Sequence, residues 1–326
     1  MTTTPPRHRI ALGLLTAGAL TGHAFAADVA APGAKPAAQL GVYLGAECKG
    51  AKLVAGYGEW LGRKPDRALE FLANDTWEIM ENASKRSPEC WQQAGVPMTF
   101  SVSMLPADRK SNLKSGAAGE YNQHFRKIAE NFVATGQANA IVRPGWEFNY
   151  GWYPWTAKTD PEAWVGLWRQ IVTTMRSVPG QKFRFDWSPA IGQGDIAPDK
   201  AWPGDAYVDI VGLDVYNQTW QWPVPSPDKL WDGFMNQQYG LKWHRDFAAA
   251  HGKQMSFPEW GTGTRPDGHG RGDDPEFMQR MTKWIADNNV AYHVYWDYEA
   301  PDYNAKLSNG QYPKSAQVFK QAYGQR

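Results

Sequence analysis

Short apolar segments alternate along the chain with longer amphipathic ones. Short runs rich in β-branched and aromatic side chains are typical of buried strands, whereas apolar residues at helical spacing are typical of amphipathic helices. Eight runs of the first kind occur, at residues 40–45, 67–73, 98–105, 139–148, 182–189, 209–217, 254–261 and 291–298. The second of them, RALEFLA, fits a helix equally well.

Three of the intervening segments carry clear helix signals. EYNQHFRKIAENFVATG (120–136) ends in glycine, a common residue just after a helix. DPEAWVGLWRQIVTTMRSV (160–178) and DPEFMQRMTKWIADNN (274–289) both open with Asp–Pro, the pairing of an N-cap with a first helical residue. We therefore predict strands that alternate with helices, which is the pattern of a parallel sheet.

Eight strand–helix units favour a closed (β/α)8 TIM barrel in a single domain. The alternative is an open doubly wound sheet, but no Gly-rich phosphate turn follows the first strand. We place the barrel at residues 39–326, after a flexible Ala/Pro-rich lead-in at 27–38.

The first 26 residues have the pattern of a secretory signal peptide. Arg7, His8 and Arg9 precede an apolar run at 10–20, and Ala24-Phe25-Ala26 supplies a cleavage site. The apolar run is shorter than the ~20 residues that a membrane span requires. We expect a secreted or periplasmic protein, cleaved after Ala26 and without a membrane anchor.

Composition narrows the possible partners. The formal net charge is +1, and the basic residues form no stretch suited to nucleic acid. The seven His show no metal-ligand spacing, so we expect neither a metal nor a cofactor. Cys48 and Cys90 are expected to form a disulfide in an exported protein, with two free thiols as the alternative. A monomer is the default expectation.

Two glutamates fall at predicted strand ends, where TIM barrels carry their chemistry. Glu147 ends the fourth predicted strand and Glu259 lies in the seventh, both among aromatic residues. Two carboxyl groups that face one cleft suit glycoside hydrolysis, in which one is protonated and the other ionised. The alternative is a pair of salt-bridged structural acids.

Strand alternation adds neighbours to the two glutamates. Arg143 lies four residues before Glu147, which would place both on one face of the strand. Asp214 and Tyr216 share a face of the sixth strand, so the tyrosine hydroxyl is positioned to donate to Glu259 and keep it ionised. Trp296, at the end of the eighth strand, is a candidate stacking platform for a sugar.

The chain is rich in tryptophan, and several of its 17 tryptophans fall in predicted loops: Trp152, Trp155, Trp202, Trp220, Trp222 and Trp231. A groove lined with aromatic rings suits a polysaccharide, and an aromatic patch for a protein partner is the competing interpretation. Within RPGWEFNYGWYPW (143–155), we predict that Trp146, Asn149, Trp152 and Trp155 bind substrate around Glu147.

Three ordered blocks, VRPGWEFNYGWYPW, VGLDVYN and FPEWG, resemble glycoside hydrolase family 26, the β-mannanase-type family of a clan of retaining (β/α)8 glycosidases. The resemblance implies that Glu147 is the acid/base and Glu259 the nucleophile. It also implies that Tyr216 hydrogen-bonds the nucleophile, and that Trp152 and Trp296 stack on sugar. One departure is Trp146, where the family usually has His.

These features predict a retaining endo-β-glycosidase that acts on a polysaccharide, either β-mannan-like or a bacterial exopolysaccharide. Alternatives within the family are a β-1,3-xylanase and a β-glucanase. The alternative from another class is a glycan-binding barrel without catalytic activity.

Overall fold

The computed structural model describes residues 1 and 37–325. Apart from residue 1, the predicted signal peptide (1–26) lies outside the described residues, as does most of the predicted lead-in (27–38).

The described residues contain one closed barrel of parallel strands. The strands are β1 (Gln39–Tyr43), β2 (Arg67–Phe71), β3 (Met98–Val102), β4 (Ile141–Pro144), β5 (Arg184–Trp187), β6 (Ile210–Gly212), β7 (Val215–Asn217), β8 (Gln254–Thr262) and β9 (Val290–Trp296). β6 and β7 both pair with β8, so together they occupy the sixth position of the barrel. Pairing of β9 with β1 closes the ring.

Helices connect the strands and surround the barrel. They are α1 (Glu47–Ala51), α2 (Val54–Leu61), α3 (Trp77–Gln92), α4 (Leu113–Ala117), α5 (Asn122–Ala134), α6 (Pro161–Arg176), α7 (Pro227–Asn236), α8 (Leu241–Ala250), α9 (Pro275–Asp287) and α10 (Pro313–Tyr323). Two short 3-10 helices, Pro198–Ala201 and Asp205–Tyr207, precede β6. No helix in the described part of the chain combines the length and hydrophobicity needed to cross a membrane.

The predicted fold class is therefore confirmed. A strand overlaps each of the eight predicted strand segments, and the ambiguous RALEFLA segment forms β2. The two Asp–Pro helix starts have the predicted cap, since Asp160 accepts a hydrogen bond from the backbone N–H of Ala163, and Asp274 from that of Phe277.

Several strand boundaries differ from the prediction, and two of these differences shape the cleft. β4 ends at Pro144 rather than at residue 148, because Gly145 and Glu147 have positive φ angles of 54° and 52° that turn the chain. The argument that alternation places Arg143 and Glu147 on one strand face is therefore wrong. The sixth barrel strand is interrupted at residues 213–214, which separates β6 from β7.

Two apolar clusters build the core. The larger one fills the shell between the barrel and the helices. The smaller one fills the inside of the barrel and comprises Tyr43, Leu69, Ile141, Ile210, Tyr292 and Val294. Ile141 and Arg143 share a face of β4, so the arginine also points into the barrel, one layer nearer its C-terminal end.

The sulfur atoms of Cys48 and Cys90 are bonded, with 4.7 Å between the two Cα atoms. The bond links α1 to the last turn of α3 on the outside of the barrel.

Removing this bond is expected to destabilise the protein. It closes a loop of 42 residues, for which the loss of unfolded-state entropy predicts a contribution of about 2–4 kcal/mol. Urea unfolding of a Cys48→Ser/Cys90→Ser double variant should show a free energy of unfolding lower by that amount. An unchanged free energy of unfolding would contradict the expectation, and reduced wild-type protein provides the control.

Candidate active site

Glu147 lies on a tight turn after β4. Its backbone N–H donates to the carbonyl of Ser188, 2.8 Å away, which fastens the turn to the end of β5. Gly145 must be glycine here, because a Cβ atom on it would lie 2.3 Å from the sulfur of Met104. A glutamate with positive φ is an uncommon, strained conformation of the kind that concentrates at functional sites.

The carboxyl group of Glu147 has a strongly raised pKa. Burial contributes most and the charge of Glu259 next, and together they raise the pKa from 4.5 to about 8. Arg143 opposes this shift, as does the indole N–H of Trp152, which donates to Oε2 of Glu147 at 3.2 Å. Glu147 therefore carries a proton at neutral pH, which a general acid requires.

Glu259 lies within β8 and is buried. Its Oε1 accepts a hydrogen bond from Nη1 of Arg143 at 2.5 Å, and its Oε2 accepts one from the hydroxyl of Tyr216 at 2.9 Å. Both carboxylate oxygens are thus held by donors from other strands, and the side chain has a fixed orientation.

Arg143 is fully buried and joins four strand positions. Besides Glu259, its guanidinium donates to the hydroxyls of Ser188 at 2.9 Å and Ser101 at 3.2 Å, and to Oδ2 of Asp214. Burial alone would lower its pKa, but the charges of Asp214 and Glu259 outweigh burial and raise it. Asp214 lies at the break between β6 and β7, and burial raises its pKa although Arg143 opposes this.

A further buried acid, Asp186, was missed by sequence reasoning. It lies in β5, and its Oδ2 accepts from the hydroxyls of Ser256 and Tyr292, both at 2.6 Å. Burial raises its pKa to about 6, against the effect of these two hydrogen bonds. The available signal was an acid within the apolar strand segment KFRFDWSP.

Two predicted stacking residues lie beside the acids. Trp152 is 53% exposed and rests flat on Tyr150, with ring centroids 4.2 Å apart. Trp296 is partly exposed at the end of β9. One face of its ring is covered by Tyr43 at 4.2 Å, and Tyr216 lies edge-on to it at 6.0 Å.

Five residues predicted to bind substrate are buried instead, and Asp214, at 2% exposed, is one of them. Arg143, Asn149 and Trp155 are 0% exposed and Trp146 is 5% exposed. Asn149 hydrogen-bonds the backbone of Ala190 and Gly192, so it joins two loops. The ring nitrogen of Trp155 donates to the carbonyl of Trp146, whose own ring packs on Phe71. These side chains support the cleft from below, and Trp155 offers no face to a sugar.

The predicted loop tryptophans also divide into two groups. Trp152, Trp220 and Trp222 are exposed, the last to 89%. Trp231 lies in helix α7 rather than in a loop, and Trp202 packs edge-on against Trp187 at 5.0 Å. The aromatic surface is therefore smaller than the sequence predicted.

An open cleft of about 590 Å³ lies over the C-terminal ends of the strands. Glu147, Trp152, Asp214, Tyr216 and Trp220 are among the residues that line it. A larger groove of about 960 Å³ lies on the outside of the barrel beside Cys48 and Cys90, but Glu147, Asp186, Asp214 and Glu259 do not line it. The cleft at the strand ends is therefore the candidate active site.

A model of glycosyl hydrolase family 26 matches residues 89–228 of this chain. The matched range contains Arg143, Glu147, Asp214 and Tyr216, whereas Glu259 lies beyond it. Over this range the chain is similar to glycosyl hydrolase family 26. The resemblance stated from the sequence is thereby confirmed.

One similar protein is a mannan endo-1,4-beta-mannosidase from Bifidobacterium adolescentis, 28% identical over 196 residues. The alignment covers 55% of this chain and 19% of the relative, so the chain matches about a fifth of that protein's length.

Two solved structures share the fold. An endo-beta-1,4-mannanase double mutant from Cellulomonas fimi has a TM-score of 0.65 at 19% identity, covering 88% of this chain and 70% of that one. The catalytic domain of a family 26 endo-beta-1,4-mannanase from Bacillus sp. JAMB-750 has a TM-score of 0.63 at 18% identity, covering 89% and 87%. At these identities the likeness concerns the fold alone.

Among the described residues, no group of three or more His, Cys, Asp or Glu side chains is arranged to hold a metal ion. The polar groups of the cleft are carboxyl, phenol, hydroxyl, amide, indole and ammonium groups, all of which can contact a sugar directly.

Replacing Glu147 by glutamine is expected to stabilise the protein at alkaline pH. Because the folded-state pKa is about 8 against an ordinary 4.5, the folded state binds more protons within this window and loses stability as pH rises through it. After allowance for partial exposure, Glu147→Gln should exceed wild type by about 1–3 kcal/mol above pH 8. Thermal unfolding between pH 4 and pH 9 measures this.

Glu130→Gln, an equivalent change at an exposed position on α5, is the control. A difference between Glu147→Gln and wild type that is the same at every pH would contradict the raised pKa of Glu147.

Proposed function

We propose that this protein is a retaining endo-β-glycosidase that hydrolyses a polysaccharide by a two-glutamate double displacement. The observation that carries the proposal is the contrast between the two glutamates of the cleft. Glu147 has a pKa of about 8, whereas Glu259 is held by a guanidinium and a phenol hydroxyl. One group is thus suited to donate a proton and the other to act as a nucleophile.

In the first step, the carboxyl group of Glu147 donates its proton to the glycosidic oxygen as the bond from that oxygen to the anomeric carbon breaks. A carboxylate oxygen of Glu259 attacks the same carbon and forms a covalent glycosyl ester. The contacts of Glu259 with Arg143 and Tyr216 orient the attacking oxygen. The fragment that contains the glycosidic oxygen leaves with the proton that Glu147 carried, and the other fragment stays bound to Glu259.

In the second step, Glu147 acts as a base. Ester formation removes the negative charge of Glu259, which is the second-largest cause of the raised pKa of Glu147. The pKa of Glu147 therefore falls, and its carboxylate can take a proton from water. The resulting hydroxide attacks the anomeric carbon, and the bond to Glu259 breaks. The proton that Glu147 gains restores the starting state.

The substrate we propose is β-mannan-like or a bacterial exopolysaccharide. The name of the Bifidobacterium relative supports the first, and the partly exposed rings of Trp152 and Trp296 suit the faces of sugar rings. We further propose that the protein is secreted or periplasmic. The signal-like segment at 1–26 supports this, as does the Cys48–Cys90 bond, because disulfides persist in oxidising compartments.

The direct test is the release of reducing ends from a panel of mannans, xylans, β-glucans and purified bacterial exopolysaccharides. Wild type should cut at least one polymer, and Glu147→Gln and Glu259→Gln should each lose about a thousandfold or more of that activity. NMR of the first product should show the β-anomer. Equal activity in the variants would contradict the site, and an α-anomer would contradict retention. Binding without cleavage would instead favour a glycan-binding barrel.

The alkaline limb of the pH profile should report the proton of Glu147. Activity requires protonated Glu147, so kcat/KM should fall as pH rises through about 8. In Trp152→Phe, the loss of the indole N–H that stabilises the carboxylate should move this limb to higher pH. A limb that stays in place, or moves to lower pH, would show that Glu147 does not control it.

A further inference from the structure

The open cleft borders the proposed acid and not the proposed nucleophile. Glu147, which would protonate the leaving oxygen, lines the cleft of about 590 Å³, whereas Glu259, which would attack from the opposite side, does not. The residues of this volume would therefore contact the part of the polysaccharide that departs first. The inference drawn from them rests on the proposed function.

The charge along this side of the cleft is unbalanced. Lys229, exposed on the first turn of α7, is the one basic side chain among the described residues that line the cleft. No carboxylate of the described residues pairs with its ammonium group. Its two acidic neighbours on α7 have other partners, since Asp228 pairs with Arg280 and Asp232 accepts from Asn236.

The acids at the bottom of the cleft do not offset this positive charge. Glu147 is protonated below its pKa of about 8, and Asp214 pairs with buried Arg143. An ammonium group in a cleft without an opposite charge attracts an anionic ligand, and the attraction is stronger there than on an open surface.

The remaining groups of this side are those that recognise sugars. Trp152 and Trp220 expose more than half of their surfaces, and each is backed by another ring. Tyr150 lies behind Trp152, and His269 lies behind Trp220. Uncharged amide and hydroxyl side chains also line the cleft, namely Gln218, Thr219, Gln221 and Gln237, together with apolar residues such as Leu230 and Phe234.

From this arrangement we propose that the leaving-group side of the cleft binds a sugar that carries a carboxylate, which pairs with Lys229 between the Trp152 and Trp220 rings. The substrate is then an acidic polysaccharide. The carboxylate belongs either to a uronic acid or to a pyruvate ketal on a neutral sugar, and the ammonium group would bind both by the same chemistry.

The test compares each acidic polymer with its own carboxyl-reduced form, in which the carboxylates have become primary alcohols. Wild type should have a higher kcat/KM on the acidic form, and the ratio between the two forms should fall as sodium chloride is added. Mild acid removes pyruvate ketals but leaves uronic acids in place. Loss of the preference after this treatment assigns the carboxylate to the ketal, and its retention assigns it to the uronic acid.

Variants then assign the preference to one side chain. Lys229→Gln should lower the acidic-to-reduced ratio by about twofold to fivefold, the range of a partly exposed ion pair. Lys229→Arg should keep the ratio, because it keeps the charge. Lys127→Gln, the same change at an exposed position on α5, should also keep it.

A wild-type enzyme that cuts the reduced polymer as well as the acidic one would overturn the inference, as would an unchanged ratio in Lys229→Gln. If no polymer is cut, the proposed function fails separately. Tryptophan fluorescence then gives the dissociation constants for the acidic and the carboxyl-reduced polymer. Equal constants for the two forms, or the same ratio of constants in wild type and Lys229→Gln, would contradict the inference about Lys229.

Discussion

The rest of the site depends on the interactions of one buried cation, the guanidinium of Arg143. It is fully enclosed in the barrel, where it contacts side chains from β3 and β8, the segment after β5 and the break between β6 and β7. A charge in such a place is tolerated only when paired and hydrogen-bonded. Without it, Asp214 and Glu259 would be two unpaired buried carboxylates, a cost of several kcal/mol.

The same cation makes the two glutamates different. Glu259 receives a direct ion pair from Arg143, whereas Glu147 receives only a weaker long-range effect and a hydrogen bond from Trp152. Burial then favours the neutral form of Glu147, and the nearby charge of Glu259 increases the shift. Two residues of one chemical type therefore lie in different electrostatic environments, which is the condition that the proposed acid and nucleophile require.

The fold and the positions of the two glutamates could be predicted because they follow from local patterns. Alternation of strands and helices indicated the barrel, and strand ends indicated Glu147 and Glu259. Exposure could not be predicted, because it depends on contacts between distant segments. Trp155 reads as a loop residue but is covered by Tyr153 and Trp146. In the sequence, Lys229 is an ordinary helical lysine. Only the fold shows that α7 lies beside the cleft and that Lys229 lines it.

The measurement that tests the central claim most directly is a carbon-13 NMR titration of the Glu147 carboxyl group in wild type and in Glu259→Gln. It needs no knowledge of the substrate. The account predicts a pKa near 8 in wild type and a clearly lower pKa in the variant, because the variant lacks the charge of Glu259. An ordinary glutamate pKa in wild type, or the same raised pKa in both proteins, would contradict the account.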